Sequence, residues 1–173
     1  MQIYLIGFMG SGKSFTGYRL AQHLNRQFLD LDHCIENKAG QTVRSLFEEK
    51  GEVYFRELEQ STLHATAAEP PSVISCGGGT PCFFDNMDWM NEHGLTIYLK
   101  TPEAILFDRL KRGRELRPLI RSKNDTELRA YIASTLASRS AYYEQASIVF
   151  HKETRQGDAA AELAHQFKNI IGH

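Results

Sequence analysis

The sequence predicts an α/β fold of three layers, in which a five-stranded parallel sheet lies between two layers of helices. Three observations point there. Short apolar runs recur along the 173 residues, amphipathic stretches fill the intervals, and the two kinds of segment alternate. Such alternation favours a parallel sheet covered on both faces, with ligands at the carboxyl ends of its strands. A chain of this length is close to the size of one domain and buries about 70% of its unfolded surface, so residues 1–173 are read as a single domain.

Taken in order, the strands are expected at Ile3–Ile6, Gln27–Leu31, Ser72–Cys76, Thr96–Leu99 and Ile148–Phe150, each a short run of β-formers between polar or glycine-rich breaks. Apolar residues at helical spacing place helices at Lys13–Leu24, Thr42–Lys50, Val53–Ala67, Asp85–Glu92, Pro102–Lys111, Asp125–Gln145 and Asp158–Ile171. No repeat or linker interrupts the series. The one change of composition is Arg112–Asn124, polar and basic between two helices, which reads as a lid within the domain.

Hydrophobic residues make up 42% and charged residues 24%, the balance of a globular protein. A net charge of -1 argues against nucleic acid as a partner. Cys34, Cys76 and Cys82 have no CxxC spacing, which signals neither zinc nor a disulfide framework and suits a reducing cytoplasm. The start Met1-Gln2-Ile3-Tyr4-Leu5-Ile6 lacks the features of a signal peptide, and no apolar run approaches the about 20 residues of a membrane span. A cytoplasmic monomer is expected, with no membrane partner.

The most specific motif is Gly7-Phe8-Met9-Gly10-Ser11-Gly12-Lys13-Ser14, a full match to GxxxxGK[ST] between a predicted strand and a predicted helix. Its glycines let the backbone curl so that successive N–H groups point inward, and the helix N-terminus adds partial positive charge; both favour phosphate. Lys13 then reaches the outer phosphates of ATP, and the Ser14 hydroxyl joins a Mg2+ shell. A merely glycine-rich turn explains neither the lysine nor the hydroxyl.

Asp30-Leu31-Asp32 ends the second predicted strand, where a side-chain period of two puts both carboxylates on one face toward the phosphates. Asp30 is expected to support magnesium and Asp32 to take the proton of an acceptor hydroxyl. Alternatively, Asp32 caps a helix beginning at His33. In Phe55-Arg56-Glu57-Leu58-Glu59, Arg56 and Glu59 share a helical face; a guanidinium held by Glu59 suits capture of a carboxylate, although a solvated surface pair has the same spacing. Gly77-Gly78-Gly79 follows the third strand and permits close approach of a ligand, or simply a tight turn. Among the basic residues of the lid region, Arg117 before Pro118 is the candidate to stabilise the transferred phosphoryl group while the lid excludes water. His23, His33 and His64 are read as surface residues of helices rather than phosphate carriers.

Together these motifs resemble the shikimate kinase family across nearly the whole chain. GxMGxGKS, DxD, FRxxE, a glycine triplet, RPL and an arginine before a tyrosine all occur in order, at Gly7–Ser14, Asp30 and Asp32, Phe55–Glu59, Gly77–Gly79, Arg117–Leu119, and Arg139 ahead of Tyr142 and Tyr143. The resemblance implies a P-loop fold like that of the nucleoside monophosphate kinases, with a mobile lid at about residues 112–124. It implies transfer of the γ-phosphoryl group of ATP to the 3-hydroxyl of shikimate, with Mg2+ as cofactor. By the same likeness Asp32 contacts the acceptor and is the base, Arg56 and Arg139 grip its carboxylate, and the Gly77–Gly79 backbone completes the pocket. The nucleotide falls to Gly10, Ser11, Gly12, Lys13, Ser14, Phe15 and Arg117. Adenine lies between Arg109 or Arg112 and Arg155 or Gln156. Phe15 stands where many relatives have threonine, which removes a hydroxyl and offers the helix that begins at Lys13 an apolar contact instead. A kinase for another acceptor, such as gluconate or a nucleoside monophosphate, and a nucleotide-binding module without catalysis remain the alternatives.

Overall fold

The computed structural model describes residues 1–117, 119–152 and 158–171. Five strands form one sheet, β1 (Gln2–Ile6), β2 (Gln27–Asp30), β3 (Ser72–Ser75), β4 (Gly94–Lys100) and β5 (Ile148–His151), in the order β2-β3-β1-β4-β5. Every pairing is parallel, as the alternation requires. The helices are α1 (Lys13–Leu24), α2 (Leu31–Ala39), α3 (Val43–Ala65), α4 (Asn86–His93), α5 (Glu103–Arg112), α6 (Asp125–Tyr143) and α7 (Ala159–Ile171).

Central strand β1 is buried at all five positions, and its period of two divides the molecule. Ile3 and Leu5 pack with Leu20 and Ala21 of α1 and with Leu163, Ala164 and Phe167 of α7. Tyr4 and Ile6 face the opposite layer, meeting Ile35 of α2, Leu46, Phe55 and Leu63 of α3, Met90 of α4 and Tyr143 of α6. A third cluster joins Phe8, directly after β1, to Leu106, Phe107 and Leu110 of α5 and to Ile120, Leu128 and Ile132. Each such Leu, Ile or Phe contributes about 1.5–3 kcal/mol on burial, so the segment after β1 is pinned to a core at its own base. Because β1 neighbours β3 on one side and β4 on the other, the loops leaving β1 and β3 open side by side at the carboxyl edge.

Three local departures from the sequence reading matter. The second strand stops at Asp30, whose side chain accepts the His33 N–H at 3.5 Å and caps α2, so that Asp32 lies in the first helical turn. Asp30 and Asp32 therefore do not share a strand face, and the capping residue is Asp30 rather than Asp32. The helices expected at Thr42–Lys50 and Val53–Ala67 form the two limbs of α3, kinked where Gly51 takes φ 83 and ψ 171. His64 is also misread as a surface residue: it stacks on Trp89 at 4.4 Å between ring centroids, and Trp89 stacks in turn on His93 at 4.2 Å.

Gly94 begins β4 opposite Gln2. A methyl group at Gly94 would lie 2.5 Å from the Gln2 carbonyl oxygen and 2.9 Å from the Tyr4 ring. Backbone cannot yield as a side chain can, so Gly94→Ala is expected to destabilise the chain by about 1–3 kcal/mol in chemical denaturation. An unchanged midpoint would refute that steric reading.

Candidate active site

Gly7, Gly10 and Gly12 hold φ values of 141, 80 and 89, which no other residue type adopts readily, and they curl the segment between β1 and α1 into a closed loop. Lys13 folds into its concavity, donating from Nζ to the Gly7 and Phe8 carbonyl oxygens at 2.8 and 3.0 Å. Burial is the main reason its ammonium is pulled down to about 8, with Asp32 and Asp30 opposing that shift. Ser14 Oγ donates to Asp30 Oδ2 at 2.7 Å, which brings both expected magnesium ligands together. Ser11 is fully buried, and its hydroxyl has no hydrogen-bond partner among the described residues. Phe15 departs from expectation: its ring is 66% exposed under the Arg19 guanidinium rather than packed in an apolar contact.

Across the carboxyl edge, the Gly77–Gly79 turn works as a common surface for four side chains. A methyl group on Gly77 would come within 3.2 Å of Asp32 Oδ1 and of Glu59 Oε1; one on Gly78, within 3.2 Å of Arg139 Nη1; one on Gly79, within 2.7 Å of Arg56 Nη2. The absence of side chains is what lets these groups converge. The same methyl on Gly78 would lie 3.5 Å from the Gly7 carbonyl oxygen and 3.6 Å from the Met9 nitrogen, so the convergence abuts the phosphate loop.

Arg56 is fixed rather than solvated. Its Nη1 donates to Glu59 Oε2 at 2.7 Å, and its guanidinium stacks 3.9 Å over the Phe83 ring. Glu59, 1% exposed, accepts at its other oxygen from the Thr80 hydroxyl at 2.6 Å. The surface-pair alternative is thereby excluded for Glu59. Arg139 projects from α6 against Gly78, and the Tyr143 hydroxyl one turn further on donates to the Gly78 carbonyl at 2.5 Å. Asp32 is raised to about 6, first by burial and then by the carboxylates of Asp30 and Glu59, against the opposing pull of Lys13. A carboxylate so shifted is suited to accept a proton near neutrality.

One expected nucleotide contact, Arg117, is not part of this assembly. Arg117 turns back to donate to the Gly113 carbonyl at 3.0 Å rather than reaching the phosphate loop. Arg155 and its alternative Gln156 lie outside the described residues. Of the two lid-side candidates, Arg109 reaches the loop, donating to the Gly10 and Ser11 carbonyls at 3.0 and 3.3 Å, whereas Arg112 is exposed. Lys111 and Arg114 pair with Asp125, each at 2.5 Å, and so serve to hold the start of α6. Sequence reasoning missed Thr80, Phe83 and Lys152, whose Nζ lies 3.4 Å from the Ser11 carbonyl. The position of Thr80 directly after the glycine triplet, and of Lys152 directly after the last strand, were the available signals.

A phosphate loop facing two arginines and a shifted carboxylate matches what comparison with known proteins returns. The protein-family model for shikimate kinase matches residues 9–171. The shikimate kinase of Phocaeicola vulgatus is 45% identical over 149 residues, which cover 86% of this chain and 85% of that protein. This chain belongs to the shikimate kinase family. The crystal structure of the shikimate kinase of Bacteroides thetaiotaomicron superposes with a TM-score of 0.90 at 39% identity, covering 100% of this chain and 99% of that one. The shikimate kinase of Acinetobacter baumannii, solved in complex with shikimate, superposes with a TM-score of 0.83 at 36% identity over 99% of this chain and 93% of the other. The three-layer α/β reading is thus borne out, and family membership makes the chain an ATP-dependent kinase. Among the described residues no helix is long and apolar enough to cross a membrane.

Proposed function

We propose that the whole chain acts as one cytoplasmic, monomeric kinase domain that transfers the γ-phosphoryl group of ATP to the 3-hydroxyl of shikimate, giving shikimate 3-phosphate and ADP. The observation that carries this reading is the meeting of Arg56, Arg139 and Asp32 on the glycine triplet beside the phosphate loop. Two guanidiniums suit a carboxylate on the acceptor, and a base near pH neutrality suits its hydroxyl. In this assignment Arg56 and Arg139 hold the carboxylate, with the backbone of Gly77, Gly78 and Gly79 against the ring. Asp32 takes the hydroxyl proton as the acceptor oxygen bonds to phosphorus, and the ADP oxygen leaves with the electron pair of the broken bond. Lys13 and the N–H groups of Gly10, Ser11, Gly12, Ser14 and Phe15 cradle the phosphates.

Ser14 and Asp30 fit magnesium as hard oxygen donors already in contact. Among the described residues no group of three or more His, Cys, Asp or Glu side chains could cage an ion, which accords with one that shares its shell with nucleotide and water. When bound, the ion neutralises charge on the phosphate oxygens. Arg117 is assigned to the transferred group, which requires segment 112–124 to move as a lid and the bond to Gly113 to break. Arg155 is assigned to adenine.

The deciding experiment is release of ADP from ATP and Mg2+ by the purified chain with shikimate, with gluconate, with a nucleoside monophosphate and with no acceptor. Release with shikimate alone is expected. Turnover of another acceptor would discard the carboxylate clamp and keep the phosphate loop, whereas ADP binding without any turnover would favour the binding module.

A further inference from the structure

Arg56 is assigned the acceptor carboxylate, and two carboxylates of the chain already bond to it. Glu59 Oε2 accepts from Nη1 at 2.7 Å, while Glu52, exposed to solvent, accepts from Nε and Nη2 at 3.3 and 3.2 Å. These bonds reach the edge of the guanidinium, where its N–H groups point, and only the bond to Glu59 is sheltered from water. A single sheltered bond is a pivot about which the plane can swing. The face is held by Phe83, whose ring centroid lies 3.9 Å from Cζ, against 5.2 and 5.7 Å for Phe55 and Phe47.

The segment that carries Phe83 is tied down on both sides of it. Before the ring, the Thr80 hydroxyl donates to Glu59 at 2.6 Å and the Cys82 N–H donates to the Gly79 carbonyl at 2.9 Å. After it, fully buried Asn86 donates from Nδ2 back to the Thr80 carbonyl at 2.9 Å, and Gln60 of α3 donates to Asp85 at 2.8 Å. Between these ties Phe84 takes φ 51, a left-handed value that a bulky side chain rarely adopts, and its own ring is 57% exposed. Strain persists only where the surroundings impose it, and Phe84 gains no packing in return. The beneficiary is its neighbour, because the reversal at Phe84 leaves Phe83 turned inward over Arg56. One segment thus supplies both constraints on the guanidinium: Thr80 steadies the carboxylate at its edge, and Phe83 covers its face. We propose that Phe83 is a positioning residue for the acceptor, its ring holding Arg56 in the plane in which Glu59 and the acceptor carboxylate can both bond to it. This rests on the reading of Arg56 as the ligand of an acceptor carboxylate.

The test is steady-state kinetics of the full chain, varying shikimate and ATP in turn, for wild type, Phe83→Leu and Phe83→Tyr, and for Phe83→Leu added to Arg56→Met with Glu59→Gln. Loss of the ring is expected to lower kcat/KM for shikimate by about fivefold or more, with KM for ATP unchanged. Tyrosine keeps the ring face and should stay within about twofold of wild type. Where Arg56 is already absent, leucine should change nothing further, since the ring acts only through the guanidinium. An unchanged kcat/KM in Phe83→Leu overturns the proposal, and so does a full loss that persists without Arg56, which would mean a packing role. Thermal melting checks that each variant folds; should the leucine variant not fold, the tyrosine variant decides, and a loss of kcat/KM beyond about fivefold there overturns the proposal. Absence of shikimate-dependent turnover in wild type would refute the acceptor reading itself, a result distinct from an indifferent Phe83 in a chain that turns over.

Discussion

Asp32→Asn is expected to lower kcat by about 10²- to 10⁴-fold with shikimate, the range associated with loss of a general base, while ADP still binds. The amide keeps the shape of the side chain and removes only its capacity to accept the proton. The pH dependence follows from the same residue. Burial and two neighbouring carboxylates hold Asp32 at about 6, so below that pH the carboxyl is protonated and kcat/KM falls about tenfold per unit. Lys13, pulled to about 8 in the nucleotide-free chain, sets an alkaline limb in kcat/KM for ATP. Bound phosphates favour its charged form, so that limb should move to higher pH in kcat. An acid limb at the ordinary carboxylate range, or one that persists in Asp32→Asn, would remove Asp32 from the base role.

Arg56→Ala should be among the most damaging substitutions for stability as well as binding. Glu59 is 1% exposed and takes one hydrogen bond from Thr80, so removal of the guanidinium leaves a buried carboxylate without its cation. Such a loss costs about 3–5 kcal/mol, equivalent to a fall in Tm of roughly 10 °C. The double variant Arg56→Met with Glu59→Gln separates the two effects. It should recover much of the stability, because no buried charge remains, yet its KM for shikimate should stay raised by about 10- to 100-fold. Recovery of KM together with stability would mean that Arg56 has only a structural part.

What was legible in the sequence is what is local in the chain. The phosphate loop is contiguous, and Arg56 and Glu59 are three residues apart on one helix, so their contacts follow from spacing. The five strands and most of the helices flanking them were visible because central β1 writes both helical layers into alternate residues, whereas α2 was not among the helices expected. The pair Asp30 and Asp32 was found but assigned the wrong geometry: strand periodicity was extended past the residue whose side chain ends the strand. Contacts that cross the chain left only the hint of position, Thr80 directly after the glycine triplet and Lys152 directly after the last strand. Thr80 supports Glu59 from 21 residues away, Tyr143 holds Gly78 from 65, and Lys152 reaches Ser11 from 141. Arg117 stands apart, since its side chain is bonded within its own segment, and the role implied for it depends on a rearrangement that spacing does not encode.

The glycine turn after β3 gives Asp32, Arg139 and Arg56 one common abutment, each against a different residue of the three. Substitutions there will not factor into independent contributions. A displacement of the turn by any one neighbour moves the surface on which the other two rest, so a double-mutant cycle between Arg56 and Arg139 should return a coupling energy well above the few tenths of a kcal/mol, about 0.3–0.5, tolerated for independent sites. On the proposed assignment, acceptor affinity and the chemical step are in that sense one trait of this chain, open to change together and resistant to being tuned apart.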